Sequence, residues 1–246
     1  GATHSVAAAY FSAFSNDLDF KAQNNSAIDS FMLANSVKNK NGAKRADIDT
    51  GVELWLLSSA SRVTSGSNAG GRLGNAFTNL VGIDFLAGDS SKAGVFVGLG
   101  RTNHKLGDSK AVKSKDAHAG IYGDIGLDPI KISLGAIYSK FDQEKRVVSS
   151  YAPLAYEYKD ADASAISAYA QIAYAGLSYE NGFSLEPYAG LTYIRAKNDD
   201  VANSLVQIKN EDRDLQVASV GVKPSIAFSM DGISLVAKAD VAYNRF

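Results

Sequence analysis

The clearest alternation of apolar and polar residues in the chain is Phe183-Ser184-Leu185-Glu186-Pro187-Tyr188-Ala189-Gly190-Leu191-Thr192-Tyr193. Its odd positions read Phe, Leu, Pro, Ala, Leu and Tyr, whereas its even positions read Ser, Glu, Tyr, Gly and Thr. Successive side chains of an extended chain point to opposite faces, so this stretch has one oily face and one mostly polar face. A period of two predicts a β-strand rather than a helix.

Nine stretches of this kind run from Gly51 to Phe246 and predict an all-β, antiparallel up-and-down sheet. The predicted strands are 51–63, 76–88, 91–106, 116–128, 130–147, 162–180, 183–197, 214–230 and 232–246. The connections alternate between short turns and long polar loops. The expected long loops are 64–75, 105–115, 147–161 and 197–213. Tight turns on one rim and long loops on the other are typical of a transmembrane β-barrel.

The strands divide into an apolar face and a face that collects the charges. Val97, Leu99, Ile121, Leu134 and Val241 represent the apolar face, which we expect to point outward. The polar residues expected to line the lumen are Asp84, Asp124, Lys131, Glu186, Tyr188, Lys223, Lys238 and Asp240. Most strands exceed the ~5 to 6 residues usual in globular sheets and reach the ~9 to 11 that a tilted membrane span requires.

Composition excludes several other classes. None of the 246 residues belongs to an apolar run of the ~18 to 20 that a transmembrane helix needs. A net charge of −1 argues against nucleic acid as a partner. The chain has no Cys and three His, so we expect no disulfide, no metal site and no cofactor. It has no nucleophile elbow, and we expect no enzyme.

The first 50 residues follow a different pattern from the rest. Residues 1–21 are expected to be a linker. Within 22–38, the apolar positions recur at spacings of three, four and seven and predict one stripe along a helix. These positions are Ala27, Ile28, Phe31, Met32, Ala34 and Val37. The Gly and basic residues of 39–47 are typical of a helix stop, so 22–50 is expected to be a helical segment that leads into the sheet.

Three stretches resemble the β-domains of autotransporters, the type V secretion family. Gly82, Asp84, Gly88 and Asp89 match the family's "G-x-D-x-x-x-G-D" hairpin, which "G-x-x-x-G" at Gly94 and Gly98 follows. Gly120-Ile121-Tyr122-Gly123 is similar to its "G-x-Y-G/A" strand. Glu186-Pro187-Tyr188-Ala189-Gly190-Leu191, with Tyr193, is similar to its "EPYAGL-x-Y" strand. The similarity covers roughly 51–246.

The resemblance implies a translocator domain in the bacterial outer membrane. By this resemblance, 1–21 is the end of an upstream passenger, 22–50 is a linker whose helix threads the lumen, and 51–246 is the barrel. The barrel anchors the chain and enables export of the passenger to the cell surface. The implied partners are outer-membrane lipids, the passenger itself and the machinery that assembles outer-membrane proteins. Because the family's barrel has twelve strands and nine are counted here, we expect the barrel sequence to be incomplete at its C-terminal end.

The doublet Asn24-Asn25 at the start of the predicted helix has two interpretations. Asn caps helix N-termini well, so the doublet is expected to begin the helix. The resemblance supplies the alternative, since one subgroup of the family, the secreted serine-protease autotransporters, releases its passenger by cleavage between two Asn in this helix. Asp84, Asp124 and Glu186 are the candidate acids for that chemistry.

Other classes remain open from the residues alone. A porin or adhesin with ligand-binding loops has the same strand pattern, but has no reason to carry a helix through its lumen. A soluble β-sandwich or a barrel enzyme of the outer membrane is the third alternative. Solubility without detergent would favour the sandwich, whereas heat-modifiable migration on a gel would favour a barrel.

Overall fold

The computed structural model describes residues 10–15, 25–38, 43–49, 51–65, 72–87, 90–106, 110–148, 155–179, 182–199, 201–202, 207–208, 212–230 and 233–245. In chain order the elements are β1 (Tyr10–Ser15), α1 (Asn25–Lys38), β2 (Lys44–Asp49), β3 (Val52–Ser65), β4 (Arg72–Ala87), β5 (Ser91–Leu106), β6 (Lys110–Leu127), β7 (Ile130–Val148), β8 (Ala155–Tyr174), β9 (Leu177–Ser178), β10 (Phe183–Asn198), β11 (Val201–Ala202), β12 (Gln207–Ile208), β13 (Arg213–Met230) and β14 (Ile233–Arg245).

One sheet contains the long strands and runs through the described chain in the order β1-β14-β13-β10-β8-β7-β6-β5-β4-β3-β2. The neighbours from β2 to β14 are antiparallel, whereas β1 is parallel to β14. β9 pairs with the start of β10, and β11 pairs with β12 in a small separate hairpin. Within the described residues β1 and β2 are the two edges, and no pairing joins them.

The nine predicted strands correspond to β3–β8, β10, β13 and β14, so the predicted fold class is confirmed. Residues 44–49, expected as part of a helix stop, instead form β2 against β3. Residues 10–15, expected as linker, form β1. Both short strands lack a long alternating pattern, and both satisfy backbone groups at an edge of the sheet.

Two of the expected long loops are much shorter than predicted. The connection between β5 and β6 is 107–109 rather than 105–115, and the one between β7 and β8 is 149–154 rather than 147–161. The polar residues of these regions continue the hairpins instead of ending them. A strand beyond the bilayer meets water on both faces, so it no longer needs the apolar alternation that defined the prediction.

The predicted division of the strands into two faces is confirmed by exposure. On the outward side Leu99 and Leu191 are 69% and 66% exposed. On the inward side Asp84 and Tyr122 are 0% and 4% exposed. Large apolar side chains outside and polar side chains inside invert the usual arrangement of a water-soluble sheet. An oily exterior of this kind suits a bilayer as its solvent. No helix in the described residues has both the length and the apolar character needed to cross a bilayer.

Pro187 and Pro224 lie where one side of the ladder is interrupted. Pro187 faces Val222 in the pairing with β13, but the pairing of β10 with β9 covers only Ser184 and Leu185, and its pairing with β8 begins at Tyr188. The pairing of β13 with β14 likewise omits Pro224. Proline has no N–H to donate, so these gaps accommodate it inside long strands.

Candidate functional site: a helix held inside the sheet

α1 is the centre of the candidate site because nearly all of its side chains are buried. Every residue from Ser26 to Ala34 is buried, and so is Val37. The six positions of the predicted apolar stripe are all among them. The polar residues Ser26, Asp29 and Ser30 are buried as well. A 14-residue helix with so little exposed surface must be enclosed by the strands around it.

Two apolar clusters join α1 to the inner wall. The first consists of Leu33, Ala34 and Val37 with one or two side chains from each of six successive strands, namely Trp55, Leu57, Leu80, Phe96, Tyr122, Ile137 and Tyr169. The second consists of Ala27 and Phe31 with Phe141, Ala163, Ala165, Ile194, Ala196, Val217 and the partly buried Leu215. β3 to β8, β10 and β13 therefore contribute side chains to the two clusters that contain the helix, which shows that the sheet curls around it. Apolar contacts therefore hold the helix along most of its length.

A buried hydrogen bond adds a directional contact between helix and wall. The Nε2–H of His104 in β5 donates to both carboxylate oxygens of Asp29 in α1, at 2.8 and 3.0 Å. The two side chains are 1% and 4% exposed. A β-carbon at Gly74 of β4 would collide with the His104 ring, so glycine is required there. His104 lies within the predicted strand 91–106 and continues the inward alternation of Gly98 and Gly100.

The two ends of α1 lie toward opposite rims of the sheet. At its start, Ser26 Oγ donates to Asn198 Oδ1, at 3.3 Å, and Asn198 is the last residue of β10 on the long-loop rim. At its end, Lys38 Nζ donates to Thr192 Oγ1 at 3.3 Å and lies 5.6 Å from the centre of the Tyr169 ring. Lys38 also lines a chamber on the short-turn rim. The helix therefore runs from the loop rim toward the turn rim.

Asp84, one of the predicted lumen residues, lies at the centre of a buried network. Arg45 Nη1 and Lys92 Nζ each approach its Oδ2 to 2.9 Å. Tyr122 donates its hydroxyl to the other carboxylate oxygen, and Trp55 Nε1 donates to the Tyr122 hydroxyl at 2.6 Å. Two cations and a phenol satisfy a carboxylate that has no exposure to water. Lys92 lies an even number of residues from Gly94 and Gly98, so the alternation of β5 predicts that it faces inward. No sequence pattern predicts that Arg45 of β2 contacts Asp84.

A second network joins five other predicted lumen residues. Lys131 Nζ lies 2.8 Å from Glu186 Oε2, and Lys223 Nζ lies 3.9 Å from its Oε1. Lys223 Nζ also lies 4.8 Å from the centre of the Tyr188 ring. Tyr188 donates its hydroxyl to Asp240 Oδ1 at 2.7 Å. Side chains of β7, β10, β13 and β14 are thereby linked across the inner face.

The chamber on the turn rim brings these two networks together. It has a volume of about 330 Å³. The charged side chains that line it are Lys38, Arg45, Lys92, Asp124, Lys131, Glu186 and Lys223. Lys238 belongs to β14, but its side chain is outside the described part of the structure. The described residues contain no group of three or more His, Asp and Glu side chains placed to hold a metal ion.

The doublet Asn24-Asn25 is only partly described. Asn25 is the first residue of α1, and Asn24 lies outside the described residues. The side chain of Asn25 is likewise outside them. The helix predicted over 22–38 is described from Asn25 to Lys38.

Comparison with known proteins places this architecture. The model of the family "Autotransporter beta-domain" matches residues 54–246. The translocator domain of the autotransporter NalP from Neisseria meningitidis aligns with 84% of this chain and 72% of its own, at 16% identity and a TM-score of 0.66. The β-domain of the Bordetella autotransporter BrkA aligns with 76% of each chain, at 16% identity and a TM-score of 0.63. The search of curated proteins finds no match.

A curled antiparallel sheet with an oily outside and a polar inside defines an outer-membrane β-barrel protein. The family match covers well over half of the sequence, so this chain belongs to the autotransporter β-domain family. It is an outer-membrane translocator domain for export of a passenger in Gram-negative bacteria. The resemblance seen in the sequence is confirmed, and so are the function and localisation that it implied.

Proposed function

We propose that α1 is the last stretch of the exported chain and that it remains in the lumen as a plug once the passenger has crossed. The observation that carries this proposal is the direction of the helix, which starts near Asn198 on the loop rim and ends at the chamber on the turn rim. Long loops of outer-membrane barrels face the cell exterior and short turns face the periplasm. A passenger preceding α1 is then on the outside.

The contacts of α1 support an anchor that holds after export. Phe31 and Leu33 fill the two apolar clusters, and the Asp29–His104 pair fixes the helix along its axis. Large buried side chains each stabilise such contacts by about 1.5 to 3 kcal/mol. The barrel in this proposal acts as conduit and anchor, without chemistry or a cofactor of its own.

The remaining partners are part of the same proposal. The apolar outer wall, represented by Val97 and Ile121, contacts the acyl chains of outer-membrane lipids. The cellular machinery that assembles outer-membrane proteins inserts the barrel, because a sheet of this size cannot leave its edge groups unpaired in lipid while it forms. Asp84, Asp124, Lys131, Glu186, Tyr188, Lys223, Lys238 and Asp240 line the lumen around the helix in this proposal.

Tagging of the parent protein tests the proposed direction. An epitope placed before residue 1 should be accessible to antibody on intact cells, and an epitope inserted at the turn 128–129 should be accessible only after the outer membrane is permeabilised. The reverse accessibility would contradict the proposal. For Asn24-Asn25 we propose a capping role, and mass spectrometry of the passenger junction tests it. Cleavage between the two Asn would support the alternative.

A further inference from the structure

Arg101 of β5 and Lys115 of β6 stand directly opposite each other on the outer wall. Both side chains are exposed on the lipid-facing side of the sheet. Directly opposite residues of an antiparallel pair have Cβ atoms about 4.5 to 5.5 Å apart, and like charges in that position are destabilising. Such a pair is stable where an anion lies between the two cations.

Among the described residues neither cation forms an ion pair. Asp142 faces Lys115 from β7 in the register, yet the two side chains form no ion pair, and Arg101 has no carboxylate partner among the described residues. Two other cations on the same wall differ in this respect. Lys140 Nζ lies 3.6 Å from Asp162, and Arg195 Nε lies 3.9 Å from Asp214.

The position of Arg101 and Lys115 relative to the apolar band indicates which part of the membrane contacts them. The outward residues Val95, Val97 and Leu99 of β5 form an apolar series that ends at Arg101. On β6 the series formed by Ile121, Ala119 and Ala117 ends at Lys115. The pair therefore lies at the border of the apolar band on the long-loop side, which is the depth of the lipid headgroups in the outer leaflet.

A surface groove adjoins the two cations. It has a volume of about 440 Å³ and is lined by Phe77, Asn79, Leu99, Gly100, Arg101, Lys115 and the buried Asp116, which belongs to the inward-facing set of β6. Phe77 is opposite Arg101 in the register with β4 and is 50% exposed. The site thus combines cations at the headgroup level with apolar side chains beside and below them. Other exposed charges on the same face of these strands are the cations Arg62, Lys105 and Lys113 and the acids Asp142 and Glu144.

We propose that this groove, defined by Phe77, Leu99, Arg101 and Lys115, binds the phosphorylated headgroup of a lipid A-type glycolipid in the outer leaflet. The outer leaflet of the Gram-negative outer membrane consists largely of such lipids, which carry phosphate on a sugar headgroup above several acyl chains. The Arg101 guanidinium binds a phosphate through two parallel N–H bonds, and Lys115 adds a second positive charge. Phe77 and Leu99 contact the first part of an acyl chain. The proposal rests on the family's outer-membrane location and on the loop rim facing outward, not on the role of α1.

Native mass spectrometry of the full chain, purified in detergent, tests this site. Bisphosphorylated lipid A, the same lipid after dephosphorylation, and inorganic phosphate are each titrated. The test variant is Arg101→Gln with Lys115→Gln. The control variant is Lys140→Gln with Arg195→Gln, which removes two cations of the same wall that already have carboxylate partners. Heat-modifiable gel migration establishes that each variant is folded.

The original chain should retain bisphosphorylated lipid A, and the test variant should bind it about tenfold more weakly or worse. The control variant should bind it as the original chain does, and dephosphorylated lipid should bind weakly to all three. Equal binding by the test variant would overturn the proposal, as would an equal loss in the control variant. Displacement of the lipid by inorganic phosphate at equal concentration would also overturn it, because the groove would then be an anion site without recognition of the glycolipid. Export is not measured in these titrations, so a failure of the proposed role of α1 and a failure of this site are distinguishable.

Discussion

Asp29 and His104 form the buried hydrogen bond that fixes α1 along the axis of the barrel. Asp29 is one turn into the helix, and His104 reaches it from β5 with Nε2 at 2.8 Å from Oδ1. Neither side chain has appreciable contact with water. Breaking this contact should therefore act on the helix and the wall together.

Replacing Asp29 by leucine should destabilise the folded barrel by about 1 to 3 kcal/mol, because His104 keeps a buried N–H without an acceptor. Asp29→Asn should cost less, since its amide oxygen still accepts that hydrogen bond. The temperature at which the compact gel form converts to the unfolded form measures the effect. The exposed Asp212→Leu serves as the control and should leave that temperature unchanged. If the Asp29→Leu protein converts at the original temperature, the contact between Asp29 and His104 does not stabilise the helix in the barrel.

Phe31→Ala should loosen the helix in the lumen. Phe31 is 4% exposed and packs with Phe141 and Ile194, so truncation leaves a cavity whose cost is about 3 to 5 kcal/mol. The expected result in planar bilayers is more frequent opening of an ion-conducting path than in the original protein. Asn35→Ala changes a half-buried side chain of the same helix and should conduct as the original does. Identical conductance of the Phe31→Ala and original proteins would argue against a plug.

Gly82 should tolerate no larger residue because it lies across from Trp55 in the register of β3 and β4. A β-carbon there would collide with the indole ring and would approach the carbonyl oxygen of Val95 to 2.7 Å. Gly82→Ala is expected to cost about 1 to 3 kcal/mol in urea unfolding. Gly123→Ala is the matched control, since its β-carbon would meet Lys92 O at 3.8 Å, an ordinary contact. Equal stability of the two variants would contradict the packing described around Trp55.

Val97→Lys should test which face meets lipid. Val97 is 57% exposed in the middle of the apolar series of β5. A lysine at the bilayer midplane costs about 2 to 4 kcal/mol, and one near the interface costs about 0 to 1 kcal/mol. Gln216→Lys, on the outward face of β13 beyond Val220 and Ala218 and opposite Tyr193, should therefore be nearly neutral. Unfolding free energies in lipid vesicles give both values, and a neutral Val97→Lys would place that face away from lipid.

Alternation in the sequence was enough to predict the nine long strands and the direction in which their side chains point. Its success has a physical cause, because lipid outside and a filled lumen inside impose opposite demands on successive residues. The prediction of strand ends failed beyond the apolar band, where successive residues no longer face lipid and lumen in turn. The polar residues at the start of β6 were expected to form a loop, and they continue the strand beyond the apolar band.

The site was less predictable than the fold. The apolar stripe from Ala27 to Val37 identified α1, and the parity of β5 indicates that His104 points inward. The contacts of His104 with Asp29 and of Asp84 with Arg45 depend on the axial offset of α1 and β2 relative to the strands of the wall. That offset is set by packing between elements distant in sequence, and no local period encodes it.

A pair of introduced cysteines tests whether α1 lies inside the barrel with its start at the loop rim. The chain has no native cysteine, so only introduced thiols can react. Ser26→Cys with Asn198→Cys places two thiols where side-chain oxygens lie 3.3 Å apart. Ser26→Cys with Lys197→Cys is the control, because Lys197 is the preceding residue of β10 and is exposed on the outer face. Upon oxidation in isolated outer membranes, a disulfide should form in the first pair and not in the second. A first pair that stays reduced while the barrel is folded, or a disulfide in the second pair, would contradict that position of the helix.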